Sequence, residues 1–339
     1  DFDNEKYQNK YWNMLKEKYD IEVSYVEDNS LEIDGDPSKG ILKVEQEGPE
    51  WALSNDATME AVKDAEIICV TFGPVNSRLI DNAPDLKLVV ILRSGTENVN
   101  LEYCKEKGVA VTNAPGRVSD PVADMTLTMM LAAVREIQRL DLHNHDWNWC
   151  RNNRIPPKEK PLISDMTIGL IGFGIIAKKV AKRLSGFEPK IIAYDPFVTQ
   201  EQADAYGVTM LPLNDVMAQS DLVSVHARLL PETEKMIGRE QIALMKPNAI
   251  FVNTARAGLV DYDALYDALV EKKIRSAALD VFYEEPLPDD DRFRKLDNVT
   301  LMAHMSGGAG DSTSITLGIV MEDIIAVAEG KQAVHICNR

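Results

Sequence analysis

The sequence predicts an α/β protein built on parallel, doubly wound sheets. Three observations support this prediction. Short apolar segments of strand length alternate with helical segments along most of the chain. A glycine-rich turn follows one of these segments and begins a helix. The chain has 339 residues, of which 45% are hydrophobic, so it is long enough to form two domains, each with its own core.

The first part of the chain contains three apolar segments that we predict as strands buried on both faces. They are AEIICVT (65–71), LKLVVIL (86–92) and VAVT (109–112). A helical segment precedes the last of them and stops at Gly108, so parallel βαβ units are expected. Residues 28–56 break this alternation because they are acidic and rich in turn-forming residues. We expect a surface insertion there, with a hairpin as one option.

A long apolar helix is predicted over residues 119–140. Asp120 is suited to cap it, and Pro121 is suited to its first position. Arg135 and Arg139 fall at its negative end. Its apolar content is too high for a single amphipathic stripe, so we expect a second domain or subunit to cover it.

A polar, proline-containing connector is predicted over residues 141–165, and a second array of strands follows it. Helical segments separate most of these strands, which is the pattern of a doubly wound parallel sheet. The strands are predicted at 166–172, 190–195, 208–211, 221–227, 249–254, 276–281 and 299–303.

The glycine-rich turn fits the fingerprint G-x-G-x-x-[G/A] of dinucleotide-binding βαβ units. Gly172 permits the tight turn, Gly174 lets the backbone approach a pyrophosphate, and Ala177 lets helix and strand pack closely. The helix then begins at Ile175 and Ile176, where N–H groups and the positive end of the helix dipole favour phosphate. The sequence therefore predicts a Rossmann-like coenzyme site.

An acidic residue, Asp195, ends the strand that follows, about 20 residues beyond the turn, where such folds bind the adenosine ribose. Its charge would repel a 2′-phosphate, so NAD is predicted rather than NADP. A purely structural turn beside a surface aspartate is the alternative. Dinucleotide binding is favoured over it because strand, turn and acid stand in register.

Three kinds of chemically active side chain stand just past strands of the second array: Arg256, Glu284 or Glu285, and His304. The carboxyl ends of parallel strands share one edge, so these groups and the glycine turn are expected at the same edge. A guanidinium that grips a carboxylate, together with a histidine paired to an acid, suits reversible hydride transfer to an oxo acid. Taken singly, each residue could instead be a surface charge, a solvated turn acid or a core histidine.

These motifs resemble those of the D-isomer-specific 2-hydroxyacid dehydrogenase family, from about residue 57 to near the end of the chain. NTARAGLVD resembles the family's arginine motif, which implies that Arg256 is catalytic. ALDVFYEEPLP resembles its glutamate motif, which selects Glu285 over Glu284 as the catalytic acid. LMAHMSGG resembles its histidine motif and implies a catalytic His304, although Ala303 replaces the usual proline.

The resemblance also implies binding residues. LRSGTENVN resembles the substrate-loop motif, so the backbone amides of Ser94 and Gly95 are expected to hold the substrate carboxylate. By the same resemblance, Asp280 contacts the nicotinamide carboxamide and Thr254 lies beside the nicotinamide ribose. NAPGRVSDPVAD resembles the first interdomain hinge, except that Asp124 stands where the family usually has glutamate.

The family layout implies a substrate-binding domain of residues 1–117, to which residues 306–339 return, and an NAD-binding domain of residues 118–305. Both would be doubly wound, Rossmann-like or flavodoxin-like, with the active-site cleft between them. The implied activity is hydride transfer between NAD(H) and a small D-2-hydroxy acid and its 2-oxo acid. The family's dimer contact implies a homodimer through helix 119–140.

The composition excludes other partner classes. The net charge of −17 argues against nucleic acid and anionic membranes, and no apolar run approaches the length of a membrane span. The polar, acidic N-terminal segment is not expected to act as a signal peptide, and the four scattered cysteines favour reduced thiols and a cytoplasmic location. His143 and His145 cannot share a helix face, so no metal site is expected.

The sequence leaves other functions open, both a non-enzymatic one and other dehydrogenase activities. An NAD(H)-sensing binding protein, like the corepressors built on this fold, would keep the same motifs. A 3-phosphoglycerate-type dehydrogenase is a second alternative, and formate or phosphite dehydrogenases are rivals, although the formate type has glutamine at the position of Glu285. In this family the connector that corresponds to residues 147–154 can reach a neighbouring active site, where Arg151 or Arg154 would favour a substrate with a second anionic group. A solvated loop whose tryptophans pack on their own domain is the alternative for this segment.

Overall fold

The computed structural model describes residues 8–153, 161–308 and 310–338. The strands are β1 (Ile67–Val70), β2 (Leu88–Ile91), β3 (Ala110–Asn113), β4 (Thr167–Ile171), β5 (Lys190–Tyr194), β6 (Val208–Met210), β7 (Leu222–Val225), β8 (Ile250–Asn253), β9 (Ser276–Leu279) and β10 (Val299–Leu301). The α-helices are α1 (Asn13–Tyr19), α2 (Pro37–Glu47), α3 (Asp56–Ala61), α4 (Ser77–Asp81), α5 (Leu101–Glu106), α6 (Ser119–Arg135), α7 (Ile137–Leu142), α8 (Trp147–Asn153), α9 (Ile175–Leu184), α10 (Gln200–Asp204), α11 (Leu213–Gln219), α12 (Arg239–Ala243), α13 (Tyr262–Val270) and α14 (Ser312–Ala328).

The chain divides into two compact units. One unit comprises Asp1–Arg117 and Gly310–Arg339, and the other comprises Val118–Ala309. The domain boundaries expected from the sequence are 117/118 and 305/306, and the roles expected for the two domains stay predictions. None of the helices in the described part of the chain has both the length and the apolar content that a membrane span needs.

The first unit contains a parallel three-stranded sheet in the order β1-β2-β3. Apolar side chains alternate across its central strand, because successive residues of a strand face opposite sides. Leu88 and Val90 pack into one cluster with Leu317 of α14, whereas Val89 and Ile91 pack into another. Both faces of the central strand are therefore covered, as its apolar character predicts. The same prediction is wrong for β1, whose Cys69 is exposed, because β1 lies at the edge of the sheet.

Residues 28–56 differ from the expected hairpin, because most of the ordered backbone there belongs to helix α2. Asp36 caps this helix by accepting from the Ser38 N–H, and Pro37 occupies its first turn. The segment also buries Leu31 and Val44 in a small core of its own. The Asp-Pro pair is a helix-start signal that the acidic, turn-rich composition of the segment obscures.

The second unit contains a parallel seven-stranded sheet in the order β10-β9-β8-β7-β4-β5-β6. Each of its strands lies within or nearly within the segment predicted for it. The strand order reverses between β4 and β7, and such a switch point opens a crevice outside the carboxyl ends of the strands. The predicted α/β class with parallel sheets is confirmed, and the reversal of strand order in the second unit is that of a doubly wound sheet.

The helix predicted over residues 119–140 is broken. α6 ends at Arg135, Glu136 adopts a left-handed conformation with φ 55°, and a new helix, α7, follows. Asp120 does not cap α6; its carboxylate instead accepts hydrogen bonds from Lys179 and Arg183 of α9. The expected cap fails because the helix begins at Ser119, which puts Asp120 inside the first turn instead of at the N-cap position.

Much of the apolar content of α6 is covered within its own unit. Met129, Met130 and Val134 lie in a buried cluster formed with the sheet of that unit. Their burial therefore gives no evidence for a second subunit. The expected connector at 141–165 also contains a helix, α8.

Two helical glycines provide a matched test of the packing of α2. A Cβ atom at Gly40 would lie 2.0 Å from the carbonyl oxygen of Leu31, whereas one at Gly318 in α14 would meet nothing within 4 Å. We expect Gly40→Ala to lower the free energy of unfolding by about 1–3 kcal/mol because the backbone must move. Gly318→Ala should raise it by up to about 1 kcal/mol, since alanine is the better helix former. Urea unfolding of both variants measures this, and equal effects would contradict the packing of α2 on Leu31.

Candidate active site

The centre of the site is a hydrogen-bonded pair of an imidazole and a carboxylate. His304 lies just past β10, and its Nδ1 is 2.7 Å from Oε2 of Glu285. The other carboxylate oxygen of Glu285 accepts from the Phe282 N–H at 2.8 Å. Both oxygens of Glu285 are thus engaged, which fixes the acid and directs it at the Nδ1 side of the ring.

A buried acid holds the turn that carries His304. Asp280 is fully buried, and its carboxylate accepts from the N–H groups of Met305 at 2.9 Å and Ser306 at 3.0 Å. Its carbonyl oxygen accepts from the His304 N–H at 2.9 Å. His304 itself has a φ of 54°, a conformation that non-glycine residues adopt only when their surroundings impose it. Asp280 therefore supplies the constraint that orients His304.

The electrostatics of the pair favour a charged imidazole. The hydrogen bond to Glu285 raises the pKa of His304 above its ordinary value, although burial and the charge of Arg256 act in the opposite direction. Burial by itself would raise the pKa of Glu285, but the hydrogen bonds from His304 and the Phe282 N–H bring it below its ordinary value. The ion pair therefore contributes stability that is lost as the pH rises through the pKa of His304 or falls through that of Glu285.

Arg256 stands on a turn that the strand before it shapes. Asn253, the last residue of β8, donates from Nδ2 to the Arg256 carbonyl at 3.1 Å and accepts from the Ala255 N–H at 3.0 Å. The guanidinium is exposed, and it donates to the Ala255 carbonyl at 2.8 Å. It forms no ion pair with any described residue, so its charge is available to an anion.

A buried tyrosine joins the turns of Arg256 and Glu285. The hydroxyl of Tyr262 accepts from Asn253 at 3.3 Å and donates to the Val281 carbonyl at 2.6 Å. Asn253 and Tyr262 were not among the predicted site residues. Asn253 could have been found, because asparagine at the end of a strand commonly bonds to the turn that follows. Tyr262 gives no such signal in the sequence.

The glycine turn has the shape that a pyrophosphate requires. Gly172 has a φ of 89°, and a Cβ there would lie 2.6 Å from the Ala227 nitrogen. At Gly174 a Cβ would meet nothing within 4 Å, so the backbone borders open space. Helix α9 begins at Ile175, followed by Ile176, and its first N–H groups have no acceptor within the helix.

Asp195 lies directly beside this turn. Its carboxylate accepts from the N–H of Phe173, inside the fingerprint, at 2.8 Å and from that of Phe197 at 2.9 Å. It is only partly buried, so it can still accept from ribose hydroxyls. The fold thus places the acid at the end of β5, as the fingerprint requires.

The remaining predicted coenzyme residues are more enclosed. The Thr254 hydroxyl is buried and lies 2.7 Å from that of Thr126 in α6. Asp280 uses its carboxylate on the His304 turn, as described above. Their expected contacts with the nicotinamide and its ribose stay predictions.

The substrate loop, with Ser94 and Gly95, belongs to the first unit and follows β2. The Ser94 hydroxyl donates to the Ala114 carbonyl at 2.9 Å. The backbone amides of Ser94 and Gly95 have no acceptor among the described residues. Free amides on adjacent residues suit a bound carboxylate, and that role stays a prediction.

The other histidines have structural surroundings. His226 lies 3.0 Å from the Ser224 hydroxyl, and burial lowers its pKa to about 4. His143 stacks on Trp149 of α8, with ring centroids 3.5 Å apart. Arg151 is exposed on α8, whereas Arg154 lies outside the described residues.

The chain is similar to known proteins in sequence and in fold. The family model described as "D-isomer specific 2-hydroxyacid dehydrogenase, NAD binding domain" matches residues 127–306. The chain is 40% identical to D-3-phosphoglycerate dehydrogenase of Methanocaldococcus jannaschii over 84% of its own length and 54% of the relative's, so it spans about half of that protein. It is 32% identical to glyoxylate reductase of Korarchaeum cryptofilum, over 89% of this chain and 93% of the relative. A solved structure of D-lactate dehydrogenase with NAD⁺ from Lactobacillus jensenii superposes with a TM-score of 0.71 at 27% identity, covering 83% of this chain and 88% of that one.

Replacing Glu285 by glutamine should lower the pKa of His304. The charge that raises this pKa is removed, while burial and Arg256, which lower it, remain. The imidazolium should then lose its proton at a lower pH, which NMR titration of the His304 ring resonances measures. Glu284→Gln is the matched control and should leave the titration unchanged, because Glu284 is an exposed neighbour outside the hydrogen-bonded pair. A shifted His304 pKa in Glu284→Gln, or an unshifted one in Glu285→Gln, would mean that Glu284 is the acid that acts on His304.

Proposed function

The chain belongs to the D-isomer-specific 2-hydroxyacid dehydrogenase family, whose members are NAD-dependent oxidoreductases, and we propose that it transfers a hydride between NAD(H) and a small D-2-hydroxy acid and its 2-oxo acid. The observation that carries this proposal is the 2.7 Å hydrogen bond between His304 and Glu285, with the charge of Arg256 acting on both. A proton donor beside an anion-binding cation is what reduction of an oxo acid needs.

In the proposed reaction the side chains bind the substrate and transfer a proton. Arg256 binds the carboxylate of the 2-oxo acid and polarises its carbonyl. His304, kept charged by Glu285, donates a proton to the carbonyl oxygen during reduction and acts as the base during oxidation. The amides of Ser94 and Gly95 are proposed to hold the same carboxylate.

The coenzyme is NAD, which supplies or accepts the hydride. Gly172 permits the tight turn, and Gly174 is proposed to let the backbone approach the pyrophosphate, because a Cβ there would meet nothing within 4 Å. The N–H groups of Ile175 and Ile176, at the start of α9, are proposed to bind the phosphates. Asp195 is proposed to bind the adenosine ribose. Thr254 and Asp280 are proposed to border the nicotinamide end.

The substrate class and the assembly are further parts of the proposal. The relatives' names include glyoxylate reductase and D-3-phosphoglycerate dehydrogenase, so a small oxo acid and a phosphorylated one are both candidates. We propose a cytoplasmic homodimer with contacts through α6, in which Arg151 or Arg154 reaches the neighbouring site. Because Trp149 stacks within its own subunit, a purely local role for that segment stays an alternative.

The activity is tested by following NADH oxidation with glyoxylate, pyruvate, hydroxypyruvate and 3-phosphohydroxypyruvate. Turnover at ordinary enzyme rates is expected with at least one of them. His304→Gln should reduce kcat by about 100-fold or more at every pH, since it removes the proton donor. Glu284→Gln should change kcat little. NADH binding without turnover of any of the four acids would instead favour the NAD(H)-sensing binding protein.

The preference of the enzyme for NADH over NADPH tests the proposed contact between Asp195 and the adenosine ribose. We expect kcat/KM to favour NADH over NADPH by at least about tenfold, which corresponds to ~1.4 kcal/mol of repulsion between the carboxylate and a 2′-phosphate. Asp195→Ala should reduce that ratio, even if loss of the bond to the Phe173 N–H weakens both coenzymes. Asp204→Ala removes an exposed charge from α10 and is the control that should leave the ratio unchanged. Equal use of both coenzymes by the unaltered protein would contradict this assignment.

A further inference from the structure

Two arginines lie close to the substrate loop of the first unit, and they differ in how their charges are balanced. The side chain of Arg93 is only 9% exposed and forms ion pairs of 2.7 Å with Glu45 of α2 and with Glu97. It also lies over the ring of Phe72, with its Cζ 5.0 Å from the ring centroid. Two acids therefore balance the charge of Arg93, although its Nε is buried and has no hydrogen-bond partner.

Hydrogen bonds tie the loop after β3 to the substrate loop after β2. The Ala114 N–H donates to the Arg93 carbonyl at 3.0 Å, and the Ser94 hydroxyl donates to the Ala114 carbonyl at 2.9 Å. Asn113 adds a bond from its side-chain amide to the Ser94 carbonyl at 2.6 Å. The two loops therefore form one ordered surface at the carboxyl edge of this sheet. Arg117 lies on the second loop, three residues after Ala114.

Arg117 is a partly buried cation without an acidic partner. Its guanidinium contacts the Thr316 hydroxyl at 3.4 Å, and no carboxylate of the described residues pairs with it. Burial and the charge of Arg93 both lower its pKa, which remains far above neutrality for a guanidinium. A cation that is partly removed from water and lies near another cation is costly unless an anion binds it.

We propose that Arg117 is a specificity-determining residue, which binds a second anionic group, a phosphate or carboxylate, at the end of the substrate remote from its 2-oxo acid. The inference rests on the proposed function, because it assigns a substrate class to the same site. The amides of Ser94 and Gly95 take the oxo-acid carboxylate, and Arg117, on the adjoining loop, takes the second anion. Arg93 does not take it, because Glu45 and Glu97 already occupy its two terminal nitrogens.

The test compares 3-phosphohydroxypyruvate with hydroxypyruvate, which lacks the second anion. In Arg117→Ala we expect kcat/KM for the phosphorylated acid to fall by about tenfold or more, mainly through KM, because a charge-assisted hydrogen bond is lost. The value for hydroxypyruvate should stay within about twofold, since none of its groups contacts Arg117. Arg117→Lys should restore part of the loss, because it restores the charge but not the paired geometry.

A control variant that also removes one positive charge distinguishes a local contact of Arg117 with the substrate from a general electrostatic effect of the protein's charge. Lys87 precedes β2 at the amino end of the same sheet and pairs with Glu66 on the surface. Lys87→Ala should leave the preference between the two acids unchanged. Inorganic phosphate should also inhibit competitively, and its inhibition constant should rise in Arg117→Ala but not in Lys87→Ala.

A structural role for Arg117 predicts different results. It would lower the melting temperature of Arg117→Ala and reduce kcat/KM equally for both acids, and either equal losses or no loss would overturn the inference. Failure of the proposed function is separate, because it would appear as no NADH oxidation by the unaltered protein with any acid. If the unaltered protein turns over both acids and Arg117→Ala shows no selective change, the proposed function is supported and the proposed role of Arg117 is wrong.

Discussion

The arrangement of the site depends on one buried carboxylate, that of Asp280. The carbonyl oxygen of Asp280 accepts a hydrogen bond from the His304 N–H, and its carboxylate accepts hydrogen bonds from the next two N–H groups, those of Met305 and Ser306. A left-handed conformation costs a residue with a side chain ~1–2 kcal/mol. Hydrogen bonds to a charged acceptor contribute ~1.5–3 kcal/mol each, so the carboxylate can hold His304 in a conformation that it would otherwise leave. With the backbone fixed in this way, the ring places Nδ1 against Glu285 and keeps its other nitrogen for chemistry.

The sheet order explains why residues far apart in sequence converge. β8, β9 and β10 are neighbours in the sheet, and Arg256, Glu285 and His304 each follow one of them. Parallel pairing brings the ends of the three strands to one edge, and side chains then fix the turns to each other. Asn253 and Tyr262 link the turn of Arg256 to the backbone of Val281, and Asp280 links β9 to the turn of His304. The site is therefore built on the rigid sheet rather than on independent loops.

Much of this could be predicted from sequence because the signals are local. Strands buried on both faces appear as apolar runs, and the glycine turn has its own spacing, so the sheets and the positions of Gly172, Asp195 and Arg256 follow from pattern. The break at Glu136 could not be predicted, because an apolar helix pattern continues through it and only the tertiary structure imposes the left-handed residue. The sequence pattern does not predict helix α2, because the acidic, turn-rich composition of residues 28–56 obscures the cap at Asp36. The hydrogen bonds from the turn of His304 to Asp280 could not be predicted from the sequence, because Asp280 and Met305 are 25 residues apart.

The charge balance of the site links substrate binding to the protonation of His304. With His304 protonated, the three side chains Arg256, His304 and Glu285 carry one net positive charge, and the buried carboxylate of Asp280 beside them adds an opposing negative charge. On the proposed function the anion of a 2-oxo acid would lie beside the imidazolium of His304, and an anion beside an imidazolium stabilises its charged form. By linkage, protonation of His304 must then strengthen binding of the oxo acid by the same factor. Glu285 raises the pKa of His304 against the opposing charge of Arg256, with or without a bound acid. On the proposed assignment, the cation that binds the acid therefore does not remove the proton that reduces it.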